Sequence, residues 1–290
     1  MKYEAIEEYS SEFEVRKMCK VLNVKAPNYY RWKKRKEVKT DRKIQELKDI
    51  KKIERIFNDS DKTYGYRSIA KQLEKEKIEI SEYRIRRIMR ENGFYPETTT
   101  KYKPSRNGKT NGRYYENEIK QDFKAEEKNQ KWAGDITYIK TKIGWVYLSV
   151  VIDLYNREVI GYAVSKKIDT ELVKKSLTNA IAKNGYKEGL IFHSDRGSQY
   201  SSKGFRKMLE LNGIQGSMSR PGCPYDNSCV ESFFATLKKE RIYRRKYDKV
   251  EEVKTDMFKY IELFYNRKRM HSKLGYMSPV EYRIKNLDNK

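Results

Sequence analysis

Three acids stand in short stretches of small and apolar residues. Asp135 lies in Trp132-Ala133-Gly134-Asp135-Ile136-Thr137-Tyr138-Ile139, Asp195 in Phe192-His193-Ser194-Asp195-Arg196-Gly197-Ser198-Gln199-Tyr200, and Glu231 in Asn227-Ser228-Cys229-Val230-Glu231-Ser232-Phe233-Phe234. Three carboxylates brought together repel one another unless divalent cations neutralise them. Hard oxygen ligands that leave positions open for water and phosphate suit Mg²⁺ or Mn²⁺. Two such ions roughly 4 Å apart can stabilise both the attacking and the leaving oxygen of an in-line displacement at phosphorus. The chemistry open to this trio is therefore phosphoryl transfer, with water or a DNA 3′-hydroxyl as attacker and no side chain as nucleophile.

The elements around the acids must bring them together. From Trp132 the apolar period is two, which predicts strands over 132–140, 145–153 and 158–165. Asp169 or Thr170 caps a helix to Asn184, and Leu190-Ile191-Phe192-His193 is a short strand ending at Asp195. Ser201 or Ser202 opens a helix to Asn212-Gly213, residues 214–219 form a fifth strand, and a long helix is expected from about Asn227 to Arg244. The order β-β-β-α-β-α-β-α resembles a ribonuclease H-like domain, an α/β fold with a mixed five-stranded sheet and flanking helices. Asp135 then sits on the first strand and Asp195 at the C-terminal end of the fourth, where open α/β sheets keep their chemistry. Val230, Phe233, Phe234 and Leu237 form the buried stripe of the last helix, which turns Glu231 toward the sheet edge.

Composition points to a polyanionic partner. The net charge is +24, from 65 Lys and Arg against 41 Asp and Glu. No apolar run approaches the roughly 20 residues that span a bilayer, and the N-terminus lacks the apolar core of a signal peptide, so a cytoplasmic protein with no membrane partner is expected. Three unpaired cysteines and two histidines exclude a disulfide framework and a four-cysteine zinc site.

The first half reads as an all-α region. Residues 1–40 hold a helical pair resembling a helix-turn-helix, with Phe13, Val15, Met18, Val21 and Leu22 at helical spacing and Pro27 opening a second helix to Arg35. Residues 41–94 form a second helical domain. Its first helix carries Ile44, Leu47, Ile50, Ile53, Ile56 and Phe57 as an inward stripe, and its last is capped by Ser81, with Ile85, Ile88 and Met89 inward. Tyr29, Arg31, Tyr83, Arg84 and Arg87 are candidate DNA contacts on these helices, against the plainer reading of solvated basic faces. Residues 95–129 read as a basic linker that orders only against DNA or a partner. The catalytic core is expected over 130–246, followed by a basic helical extension over 247–290. There Arg267, Arg269 and His271 are candidate phosphate contacts, or simply a solvated surface.

Spacing and flanking residues carry a family resemblance. Thirty-five residues intervene between Asp195 and Glu231, and around them stand Ser219-Arg220-Pro221-Gly222, Asp226-Asn227 and Glu231-Ser232-Phe233-Phe234-Ala235-Thr236-Leu237-Lys238-Lys239-Glu240. Downstream lie Tyr265-Asn266-Arg267-Lys268-Arg269-Met270-His271-Ser272-Lys273-Leu274-Gly275 and Ser278-Pro279-Val280-Glu281-Tyr282. From about Phe13 to Tyr282 the sequence resembles the second-reading-frame (OrfB) transposases of bacterial copy-out–paste-in insertion sequences, within the retroviral-integrase-like DDE superfamily. The resemblance implies that Asp135, Asp195 and Glu231 bind Mg²⁺, two ions per site with Mn²⁺ able to substitute, and that Lys238 contacts DNA; Arg196 joins it as a candidate contact. It implies nicking at one transposon end, attack of the freed 3′-hydroxyl near the other end, and insertion of the joined-end intermediate into target DNA. Double-stranded DNA with terminal inverted repeats, a homodimer or higher oligomer on DNA, and an upstream-frame partner with a helix-turn-helix and leucine zipper are the implied partners. Nucleoid association when bound to DNA follows from the same reading.

Several other residues compete for roles. Asp153 reads as a strand-end residue supporting the site, and His193 as a packed strand histidine. Glu171 stands where a ribonuclease H carries a fourth acid, which keeps open a nuclease acting on RNA–DNA hybrids, although a helix dipole explains it as well. A DNA-binding regulator with retired chemistry is the other alternative. Cys223 and Cys229 read as structural.

Overall fold

The computed structural model describes residues 1–37, 41–97, 114–221 and 223–287. Three short helices begin the chain: α1 (Lys2–Glu8), α2 (Val15–Val21) and α3 (Ala26–Glu37). The first was not expected from the sequence, and it supplies Ile6 and Tyr3 to a small core with Cys19, Tyr29 and Trp32. Phe13 and Val21, two of the apolar residues at helical spacing, are exposed.

The second helical unit comprises α4 (Asp41–Asp59), α5 (Tyr66–Lys75) and α6 (Glu82–Glu91). Ser81 caps α6 by accepting the Arg84 N–H, and Gly93 ends it at φ +70°, as the sequence predicts. Ile53, Ile56 and Phe57 of α4 pack on Ile69, Leu73, Ile85, Ile88 and Met89, while Ile44 and Leu47 stay partly exposed because α5 and α6 cover only the later turns. This core also takes in Met270, Phe264 and Tyr276 from the far end of the chain. The Tyr64 hydroxyl donates to the Lys268 carbonyl at 2.9 Å and accepts the Met270 N–H at 3.1 Å.

Part of the expected linker is built into the catalytic domain. Residues 98–113 lie outside the described residues, but 114–130 run along the sheet. Ile119 is buried, Met218 N–H donates to the Glu116 carbonyl, and the Tyr115 ring occupies the space a side chain at Gly216 would need. The alternating Gly, Pro and Lys suggested a tether, yet the segment's aromatic and aliphatic residues find the β-sheet face.

The sheet contains β1 (Lys131–Thr141), β2 (Gly144–Asp153), β3 (Val159–Ser165), β4 (Ile191–Ser194) and β5 (Gln215–Met218) in the order β3-β2-β1-β4-β5. β1 is antiparallel to β2 and parallel to β4, and β4 is parallel to β5. The mixed five-stranded sheet expected from the sequence is present. On one face α7 (Thr170–Asn184) and α8 (Lys203–Leu211) cover Trp132, Val151, Ile160 and Phe192. Asp169 and Ser202 are their N-caps, accepting the Leu172 and Phe205 N–H groups. On the other face lies α9 (Ser228–Glu240), whose Val230, Phe233, Phe234 and Leu237 meet Leu148, Val150 and Ile152.

The C-terminal segment is no appendage. α10 (Val250–Phe258) and the π-helical turn Lys259–Tyr265 place Val250, Val253, Met257, Tyr260, Ile261 and Tyr265 in the same core as α9 and the sheet. α11 (Pro279–Leu287) follows. A boundary at 246 would cut through one hydrophobic core, because the period-3.6 stripe of this segment has no other surface to bury against. Among the described residues, no helix is long and apolar enough to cross a membrane.

Candidate active site

Asp135 sits on β1 opposite Val150 of β2. Just before it, Gly134 lets the strand lie against an aromatic cluster: a Cβ there would come within 2.5 Å of the Phe192 ring. β4 pairs with β1 only at Lys131, Trp132 and Ala133, so Asp135 stands where β1 outruns its neighbour. Asp195 follows the end of β4 in a tight turn, its Oδ1 accepting the Gly197 N–H at 2.9 Å. Behind it His193 is fully buried between two serines, with Nδ1 2.8 Å from Ser217 Oγ and Nε2 3.2 Å from Ser219 Oγ. Burial pushes the His193 pKa down to about 4, so the ring is a neutral strand support. Glu231 is in the first turn of α9 with its side chain exposed.

These charges feel one another. Burial pushes the Asp135 carboxyl well above its ordinary pKa, the Asp195 and Glu231 charges push it further, and the Ile136 N–H and Lys238 ammonium oppose the rise. Asp195 is also raised by burial, against the Gly197 hydrogen bond. Among the described residues, the Oδ2 atoms of Asp135 and Asp195 meet no hydrogen-bond donor. Two adjacent carboxyls that resist ionising, each with an oxygen to spare, are the donor set a hard divalent cation would suit. As they stand, no three His, Cys, Asp or Glu among the described residues are gathered tightly enough to hold a metal ion. Carboxylates that repel one another have no reason to close fully without the cation that joins them.

Asp226, five positions before Glu231, was not assigned a role from the sequence. It is fully buried and accepts hydrogen bonds from Arg220 N (2.9 Å), Arg220 Nε (3.2 Å), Asn117 Nδ2 (2.8 Å) and Gln121 Nε2 (2.9 Å). Burial opposes its charge, but these donors hold the carboxyl far below the usual range. It ties the 114–121 segment to the loop that launches α9. In the sequence, Arg220-Pro221 ahead of it is a local sign of such a hub.

Integrase core domain models match residues 125–224 and 231–287, and an HTH-like domain model matches residues 45–102. Transposase InsF for insertion sequence IS3A of Escherichia coli K12 is 36% identical over 288 residues, covering 99% of this chain and 100% of that protein. The chain belongs to the IS3-type insertion-sequence transposases. The transposase for insertion sequence element IS904 of Lactococcus lactis is 40% identical over 233 residues, 80% of this chain and 91% of that one. Among solved structures, the catalytic core of BIV integrase aligns over 56% of this chain and 97% of its own at 19% identity, with a TM-score of 0.43. The Mos1 transposase catalytic domain with raltegravir and Mg aligns over 47% and 72% at 18% identity, with a TM-score of 0.39. This transposase is a DDE enzyme, a polynucleotidyl transferase of the retroviral-integrase superfamily, and its assignment rests on the sequence relatives.

The transposase uses several expected DNA contacts internally. Tyr29 is fully buried between Tyr3 and Trp32, because the helical period turns it to the side of Trp32 and away from Arg31, which is exposed. Arg84 pairs with the buried Asp49 at 2.8 Å, and Arg87 with Glu46 and Glu91. Arg269 is bound to Glu240 at 2.8 Å. His271 packs edge-on against Tyr265; burial, with the Arg269 and Arg157 charges, pushes its pKa down to about 3, so it is neutral rather than part of a phosphate patch. Tyr83 and Arg267 are exposed. Arg196 donates Nε–H to the Ser219 carbonyl at 2.8 Å and lies over the Tyr114 ring. Lys238 is half-buried beside the acids, its amine 4.6 Å from the Tyr138 ring centre; burial lowers its pKa and Asp135 opposes that. Asp153 is a buried turn residue at the end of β2, accepting the Asn129 and Tyr155 N–H groups, and burial pushes its pKa up to about 6. Glu171 is exposed and paired with Lys174. Cys229 contacts Arg157 Nη1, and both it and Cys223 are free thiols.

Proposed function

We propose that Asp135, Asp195 and Glu231 are the catalytic and metal-binding residues, holding Mg²⁺, two ions per site with Mn²⁺ able to substitute. The observation that carries this reading is that α9 packs against β1 beside its pairing with β4, so that the Asp135 carboxyl feels the charges of both other acids. Bound there, the ions would supply Lewis-acid stabilisation of the attacking and leaving oxygens. Asp135 and Asp195 orient their oxygens from a fixed strand edge. Glu231, at the exposed start of α9, completes the donor set by closing on them. His193 and Asp226 position the strand end and the helix start. Lys238 contacts the DNA beside the cleaved phosphate, and Arg31, Tyr83 and Arg267 hold the flanking duplex.

The reaction is metal-dependent nicking at one terminal repeat, followed by 3′-hydroxyl strand transfer near the other end and insertion of the joined ends into target DNA. Each transfer exchanges one phosphodiester for another, so no external energy source enters. Two ends held at once call for at least a homodimer on DNA, aided by an upstream-frame protein with a helix-turn-helix and leucine zipper, within the bacterial nucleoid. The test is Mg²⁺-dependent nicking of a labelled terminal-repeat duplex by the unchanged protein and by Asp195→Asn. Loss of nicking with DNA binding retained supports the assignment. Undiminished nicking by Asp195→Asn would overturn it, and cleavage confined to RNA–DNA hybrids would favour a hybrid nuclease.

A further inference from the structure

The β1–β2 hairpin runs well beyond β4 and ends in apolar groups that the fold leaves uncovered. Trp145 is 51% exposed, Tyr138 37% and Ile143, at the turn, 60%. The Trp145 and Tyr138 rings meet edge to face, with centroids 5.2 Å apart and planes at 89°. Cross-strand aromatic pairs commonly stabilise hairpins. Stabilising the hairpin does not require the indole to keep half its surface in water.

Position gives the pair a further use. Alternation along a strand would put Asp135 and Tyr138 on opposite faces. The edge of β1 joins them, because β4 pairs no further than Ala133. Lys238 of α9 spans that edge: its amine stands 4.6 Å from the Tyr138 ring centre while the Asp135 charge acts on it. One cation thus links the carboxylate site to the rings. Lys140, opposite Trp145 in the register, is exposed beside them. An exposed indole flanked by lysines, in a chain of net charge +24, suits a base whose backbone is anionic.

We propose that Trp145, backed by Tyr138 and Lys238, is a stacking site for one unpaired base of the transposon end. The proposal rests on the acids being the site of strand cleavage, since that fixes where the DNA runs. Trp145 stands opposite Lys140, five residues along β1 from Asp135, roughly 17 Å at about 3.3 Å per residue. Nucleotides follow one another at about 3.4 Å along a strand. The captured base is therefore about five nucleotides from the phosphate attacked. Holding it out of the duplex fixes the register of the end against the acids.

Binding can be measured without chemistry by using the full chain carrying Asp195→Asn. Two terminal duplexes are compared, one intact and one with a single abasic site, which is moved through the positions flanking the cleaved phosphate. With Trp145 present, an abasic site about five nucleotides away is expected to weaken binding about 5- to 150-fold, the range of a base–aromatic stack. With Trp145→Ala the intact and abasic duplexes should bind alike, whereas Trp145→Phe should keep most of the difference. An abasic penalty that is equal with and without Trp145 at every position would overturn the proposal. So would a drop in oligomer size in Trp145→Ala with no change in the penalty, which would assign the rings to a contact between copies. Continued nicking by Asp195→Asn would instead count against the acids, and the abasic comparison would still read the stack.

Discussion

Glu240 closes α9 in a buried position. Its Oε1 accepts Arg269 Nη2 at 2.8 Å, and its Oε2 accepts Arg269 Nε at 3.0 Å and the Tyr260 hydroxyl at 2.8 Å. Burial disfavours the Arg269 charge, but the Glu240 carboxylate outweighs it and holds the guanidinium above its ordinary pKa. Glu240→Gln keeps the shape and deletes the charge, leaving a largely enclosed cation without its counter-ion. Breaking a buried pair from one side costs about 3–5 kcal/mol. That is a large share of the roughly 5–15 kcal/mol that keeps a domain folded. In a chain of this size it lowers the melting temperature by roughly 6–20 °C, read by circular dichroism or calorimetry. Replacing the group together, as Glu240→Leu with Arg269→Met and Tyr260→Phe, should recover most of the loss, since apolar groups of similar volume tolerate such sites. A cost below about 1 kcal/mol for Glu240→Gln would refute the reasoning and mean that water reaches the guanidinium. Because this pair anchors the far end of the helix that starts beside Glu231, nicking by the folded fraction should also fall.

Gly161 packs β3 against α7, where an added Cβ would collide with the Ser176 carbonyl and lie 2.6 Å from Ala180 N. Gly161→Ala should therefore destabilise by about 1–3 kcal/mol or more in urea titrations, whereas Gly93→Ala, with open space but φ +70°, should cost about 1 kcal/mol. The His193 pKa is depressed, so its contribution is present above the unfolded value of 6.5 and is lost as pH falls toward about 4, to the extent of about 3 kcal/mol. Asp153, raised to about 6, acts in the opposite sense over that range, so the measurement is the difference between His193→Gln and the unchanged protein, which should shrink as the pH is lowered. On α6, Arg90 is exposed while Arg84 neutralises the buried Asp49. Arg90→Ala should flatten the salt dependence of DNA binding by about one unit of slope, and Arg84→Ala should appear chiefly as a lower unfolding midpoint.

Periodicity and caps made much of the fold legible. The alternation from Trp132, the caps at Ser81, Asp169 and Ser202, and the glycine stops located most strands and helices closely, because those signals are local. The sequence also showed the three acids, whose flanking residues fix their elements. It did not show how the basic residues divide between DNA and the protein's own acids. Arg269 with Glu240 and Arg241 with Asp256 are pairs joined across the chain, and no period marks them. Tyr29 was legible in principle, since it lies three residues before Trp32 on one helix face, but the adjacent Arg31 drew the eye to the surface. The 114–130 segment misled for a different reason: turn-forming residues nearby masked an edge that lies along the sheet.

The Tyr64 hydroxyl and the Met270 amide are 206 positions apart. At about 5–20 residues per second, a ribosome needs roughly 10–40 s to make the stretch between them. Over that interval the nascent HTH-like unit lacks the methionine and tyrosine that seal its base. Its core is thus completed only once residues 264–276 have emerged, and a copy terminated before them would carry an unfinished helical head.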